Sequence, residues 1–134
     1  MRIVVLTLAA LAATGCMGRT SSDDGGGSGS PETKLEISIS IGGSEAPTKV
    51  WTLRCPAGGT LPNAARACRK LDQVPHPFAP LPKGIACTQI YGGPQIADVR
   101  GTFRGRRVSA HFSRGNGCEI ARWNRVRFLF PTTT

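Results

Sequence analysis

Histidines and acids are scarce in this chain: 2 and 8 of 134 residues. So small a stock supplies few general acid–base pairs, and no Ser-His-Asp or Cys-His set has supporting context. No C-x-x-C pair occurs, and His76 and His111 do not stand at ligand spacing, which disfavours zinc. Aromatic residues make up 6% of the chain. Among the arginines of the C-terminal third, Trp123 is the lone stacking candidate, which weighs against nucleic acid. No apolar run is long enough to cross a bilayer. These gaps point away from an enzyme, a metalloprotein and a nucleic-acid binder, and no cofactor is expected.

Basic charge is abundant, with 17 Lys and Arg and a net charge of +9. Met1-Arg2 followed by the apolar run Ile3 to Ala13 reads as a signal peptide over residues 1–15. The run ends Ala13-Thr14-Gly15-Cys16, which resembles a bacterial lipobox. Either Cys16 receives a lipid, or an ordinary secretory signal is cut near Gly15. Lipidation also accounts for the odd count of 5 cysteines, since setting Cys16 aside leaves Cys55, Cys68, Cys87 and Cys118 to pair. Residues 16–33 are rich in Gly, Ser and Asp and read as a flexible linker, a tether for an exported domain over 34–131.

Lys34 to Ile41 alternates strictly, with Leu35, Ile37, Ile39 and Ile41 on the core side, and predicts a half-buried strand. Val50 to Cys55 predicts its partner, with Trp51 and Leu53 inward. Thr60-Leu61-Pro62 predicts a helix start, with Ala64, Ala67, Cys68 and Leu71 on one face. Gln73 to Gly84 carries Pro75, Pro77, Pro80 and Pro82 and predicts an irregular connection. Gln95 to Phe103 and Arg107 to Phe112 predict a hairpin around Arg104-Gly105-Arg106. Cys118 to Trp123 suits a short helical turn, and Arg125 to Phe130 alternates as a last strand. Ile96, Val99, Phe103, Val108, Phe112, Val126, Phe128 and Phe130 complete the expected core. The fold class is therefore α+β: one domain, about five antiparallel strands, and one or two short helices on one face.

The segment Cys87-Thr88-Gln89-Ile90-Tyr91 carries the functional signal. A cystine just before an extended, exposed stretch would clamp a loop meant to be gripped. Proteases grip substrates as extended strands, so a stiffened loop of this kind suggests a protease inhibitor. Four-cysteine order and several strings strengthen that reading: Leu53-Arg54-Cys55, Gly58-Gly59-Thr60-Leu61-Pro62, Gly101-Thr102-Phe103 and Asn116-Gly117-Cys118-Glu119. In these the chain resembles the Streptomyces subtilisin inhibitor-like family of secreted serine protease inhibitors, from Leu35 to Phe130.

The resemblance implies disulfides Cys55–Cys68 and Cys87–Cys118, which the sequence alone leaves among three connectivities. It implies Gln89-Ile90 as the reactive bond and Ala86, Cys87, Thr88, Tyr91 and Gly92 as protease contacts. Asn116 matches a residue that braces the loop from beneath in the family. Its partner would be an extracellular subtilisin-like protease, and a homodimer through the sheet face opposite the helices is a family habit. Two departures stand out: Gln89 where Met or Lys is frequent, and Gly92-Gly93-Pro94, one residue longer than the usual Tyr-Asp-Pro. The alternative reading is a non-inhibitory surface module on the same fold. It would use an Arg-rich face of Arg100, Arg104, Arg106, Arg107, Arg114, Arg122, Arg125 and Arg127.

Overall fold

The computed structural model describes residues 31–131. The expected signal segment, Cys16 and the Gly/Ser-rich stretch to Ser30 lie outside the described residues. Strand β1 spans Lys34–Ser40, and its alternation turns Leu35, Ile37 and Ile39 into the core. It pairs antiparallel with β2, Thr48–Arg54, on one side and with β3, Ile96–Phe103, on the other. Strand β4, Arg106–Phe112, pairs antiparallel with β3 and completes a four-stranded sheet in the order β2-β1-β3-β4. Arg104 and Gly105 make the hairpin turn with φ 48 and 76, the positive values that a two-residue type I′ connection requires.

Among the described residues, four strands form where about five are expected. Arg125 to Phe130 is not a strand: helix α2 runs Gly117–Val126 and passes into a 3-10 turn, Arg127–Leu129. The buried residues are Arg122, Trp123, Val126, Leu129 and Phe130, which is helical spacing. Leu129, placed on the wet side by the alternation, is 0% exposed. A strand would have left Leu129 in water.

Helix α1 spans Ala64–Gln73 and buries Ala64, Ala67, Cys68 and Leu71, the expected face. It begins later than Thr60-Leu61-Pro62 suggests. Thr60 is held by β2 instead: its Oγ1 accepts from Thr52 N at 2.9 Å, and its own N donates to Thr52 Oγ1 at 3.1 Å. Leu61 N donates to the Thr52 carbonyl, so Asn63 becomes the helix cap, in a left-handed conformation. Two expected core residues are also displaced. Ile41 lies just past β1 and is 43% exposed, and Ile96 stands opposite Ser40 on the outer side of the sheet.

The core lies between the inner sheet face and the helices. Ile37, Leu53, Val99 and Phe112 meet Leu71, Val126 and Leu129, with Phe130 packed on Phe112 and Trp123. Cys55–Cys68 ties the end of β2 to α1, and Cys87–Cys118 ties the irregular connection to α2. Sequence separations of 13 and 31 correspond to about 3 and about 3.7 kcal/mol in the chain-entropy account.

Residues 74–95 contain no regular element, as the prolines dictate. Arg122 and Arg125 secure this stretch, while Arg104 pairs with α1. Arg122 is buried, donates from Nε to the Ala79 carbonyl at 2.9 Å and from a terminal nitrogen to the His111 carbonyl, and lies 4.2 Å over the Phe112 ring. Burial pulls its guanidinium below the ordinary value; Glu119, 3.8 Å away, pulls it back up and Arg125 lowers it again. It stays charged at any physiological pH. Arg125 donates to the Pro75 carbonyl, and Arg104 to the carbonyl and carboxylate of Asp72.

The sheet has two unlike ends. At one, the chain enters at Glu32 and Thr33, which bond the β3–β4 turn through Gly105 N and Arg104 N. At the other lie Ser40, Ile96 and Phe112, where the irregular connection joins β3. Strand β3 separates them by roughly 23 Å at 3.3 Å per residue.

Candidate functional site

The Cys87 segment sits at that second end, on the surface. Thr88, Gln89, Ile90 and Tyr91 are exposed, Ile90 by 60% and Tyr91 by 69%. Large apolar and aromatic side chains held this far out of a core are unusual unless something covers them. Ala86 is exposed and Cys87 and Gly92 are half-buried, so the segment rises from its two ends and bows outward between them.

Each end is fastened separately. On the Cys87 side, the disulfide joins the loop to the first turn of α2, with Cα atoms 5.4 Å apart. One residue on, the Thr88 carbonyl accepts from Gly117 N at 2.9 Å. On the other side, Gly92 N donates to the Arg114 carbonyl at 2.8 Å. Between these anchors Gln89 and Ile90 make no backbone–backbone hydrogen bond among the described residues, so their donors and acceptors stay available to a partner.

Two glycines make these approaches possible. A Cβ on Gly117 would overlap the Thr88 side chain, and one on Gly92 would come within 2.8 Å of the Ile120 side chain and 3.2 Å of Arg114 Cβ. The first glycine of the pair after Tyr91 is therefore pressed onto the domain, and Gly93, at φ 126, turns the chain toward β3.

Asn116 acts one step back from the loop. Its Oδ1 accepts from Glu119 N at 3.0 Å, and its carbonyl accepts from Ile120 N, so it caps α2. It thereby fixes the turn that presents Gly117 and Cys118 to the loop. Sequence reasoning missed Gly117, Arg114 and Ile120 as supports. Asn-Gly before a cysteine hinted at the glycine, but backbone contacts from Arg114 carry no residue-type signal.

The arginines do not share one face. Arg122 is buried, Arg104 pairs with Asp72 of α1, Arg125 secures the irregular connection, Arg100 and Arg107 belong to the outer sheet side, and Arg114 and Arg127 line a groove beside α1. Among the described residues, no three His, Cys, Asp or Glu side chains gather as metal ligands, and no helix is long and apolar enough to cross a membrane.

Comparison with known proteins agrees with this geometry. The pattern of the subtilisin inhibitor-like family matches residues 31–116. The chain is also 35% identical to subtilisin inhibitor-like protein 4 of Streptomyces lavendulae over 92 residues, covering 63% of this chain and 78% of that protein. The chain belongs to the subtilisin inhibitor-like family, whose members are inhibitors rather than enzymes.

Proposed function

We propose that this chain inhibits an extracellular subtilisin-like serine protease by offering Gln89-Ile90 as a scissile bond that the enzyme releases only slowly. One observation carries the proposal: an exposed pair flanked by independent anchors, Cys87–Cys118 with Gly117 N to Thr88 O before it, and Gly92 N to Arg114 O after it. Because the loop is ordered before binding, little conformational entropy is lost in the enzyme cleft. Main-chain pairing with the enzyme then adds affinity as in strand addition.

The same anchors limit hydrolysis. When the bond between the Gln89 carbonyl carbon and the Ile90 nitrogen opens, both new ends remain fastened to one domain. The Ile90 amine stays near the acyl group and competes with water for it. Cys87, Thr88 and Gln89 lie on the acyl side, Ile90 and Tyr91 on the leaving side. The reading places the domain outside the cell, held on the outer membrane face by a lipid on Cys16.

Incubation with subtilisin followed by mass spectrometry tests this directly. Stoichiometric inhibition with a single clip after Gln89 is expected. Absence of inhibition, or cleavage elsewhere first, would count against it.

The amide of Gln89 fills neither an apolar pocket nor one holding a carboxylate particularly well. Gln89→Met is accordingly expected to tighten inhibition of subtilisin, and Gln89→Lys that of trypsin, each by about tenfold. Inhibition constants measured side by side decide this. If neither enzyme is held more tightly, residue 89 does not enter the specificity pocket.

A further inference from the structure

A groove of about 590 Å³ runs between α1 and the C-terminal part of the chain. Arg66, Lys70, Arg114 and Arg127 line it, and no Asp or Glu does. The ion pairs among the described residues join Glu32, Asp72, Asp98 and Glu119 to Lys34, Arg104, His111 and Arg122. None of the four groove cations has a carboxylate partner among the described residues.

Arg114 adds an independent sign. Its Nε is shielded from solvent and has no acceptor among the described residues, and its Nη1 reaches only Gln95 Oε1, at 3.4 Å. Lys70 is steadied by an aromatic ring, with Nζ 5.6 Å from the Phe128 centroid. Positive charges distributed on a convex surface are relieved by water. Charges around a concave one reinforce each other's potential and attract an anion.

We propose that this groove binds a linear phosphate-bearing polyanion. Guanidinium forks match phosphoryl oxygens two at a time, and three of the four cations are arginines. The volume falls within the usual range of ligand sites, about 300–1,000 Å³, and exceeds what one phosphate fills. A chain of phosphates therefore fits better than a single ion. The proposal stands apart from protease inhibition, although Arg114 also holds Gly92 and so brings the groove to the leaving side of the loop.

Calorimetric titration of the full chain with tripolyphosphate, inorganic phosphate and phosphatidylglycerol vesicles tests it. Tripolyphosphate is expected to bind one to one, about tenfold more tightly than phosphate, through its larger number of charge-assisted hydrogen bonds. Arg66 and Arg127 are exposed and make no side-chain hydrogen bond or ion pair among the described residues, so Arg66→Gln with Arg127→Gln is expected to leave the fold intact. That pair is expected to weaken tripolyphosphate binding about tenfold or more. Arg100→Gln with Arg107→Gln removes equal charge from the outer sheet side and is expected to change binding less than about twofold. No binding of tripolyphosphate, equal loss in both variants, or binding to vesicles alone would overturn the proposal.

Discussion

Replacing Cys87 and Cys118 together by serine is expected to convert the chain from an inhibitor into a substrate. The inhibition constant for subtilisin rises by about 100-fold or more, because loop ordering must then be supplied at binding. Without the disulfide the acyl side is held only by Gly117 N to Thr88 O, a single bond near exposed residues. After cleavage that end drifts, the Ile90 amine loses its partner, and water completes the reaction. The companion change, Cys55→Ser with Cys68→Ser, separates loop bracing from overall stability. It removes a disulfide of sequence separation 13 rather than 31, and costs about 3 kcal/mol against about 3.7 kcal/mol by chain entropy. At a temperature where both variants remain folded, only the Cys87/Cys118 variant should be consumed. Inhibition constants combined with mass spectrometry of the recovered chain distinguish the two. Equal behaviour of the variants would mean that the disulfide stabilises the domain and does nothing particular for the loop.

Arg122→Met is expected to destabilise the domain by about 2–4 kcal/mol, since two carbonyls lose their donor where water cannot readily replace it. Those carbonyls are Ala79 on the irregular connection and His111 at the end of β4. Methionine fills similar volume, so the loss reflects hydrogen bonding and charge more than a cavity. For a domain near 100 residues the melting temperature should fall by about 10–20 °C. Arg122→Lys keeps the charge but cannot span both acceptors, and is expected to recover only part of the loss. Thermal melts of the three proteins check this; a Met variant within about 3 °C of the parent, far short of that fall, would show that the guanidinium is dispensable.

Legibility followed physical periodicity. In β1 one residue in two is apolar, and the strand and the burial of Leu35, Ile37 and Ile39 emerged from that alone. The buried stripe of α1 emerged from three- and four-residue spacing in the same way. The tail misled because Val126, Phe128 and Phe130 alternate while Trp123, Val126, Leu129 and Phe130 follow a helical stripe, and one apolar stretch satisfies both. What decided between them was the cap at Asn116 and a cross-link at Cys118, features of tertiary position. Arg122 was unreadable for a similar reason: an arginine among many declares its charge, not which carbonyls it will find.

At the loop, residue types revealed the part that protrudes and hid the part that supports. Cys87, Gln89 and Ile90 stand in a recognisable order. Arg114 works through its carbonyl, and Gly117 through an amide and the lack of a side chain. Any residue possesses a carbonyl, so only coordinates identify which one Gly92 meets.

The unlike ends of the sheet have a practical corollary. The chain enters beside the β3–β4 turn, whereas Pro131 borders a cleft with Gly42, Ala46 and Pro47 next to the loop-bearing end. Cargo, a purification handle or a solid support joined at Pro31 therefore begins at the end of the sheet away from the exposed loop. The same attachment made at Pro131 begins beside the end that carries the exposed loop.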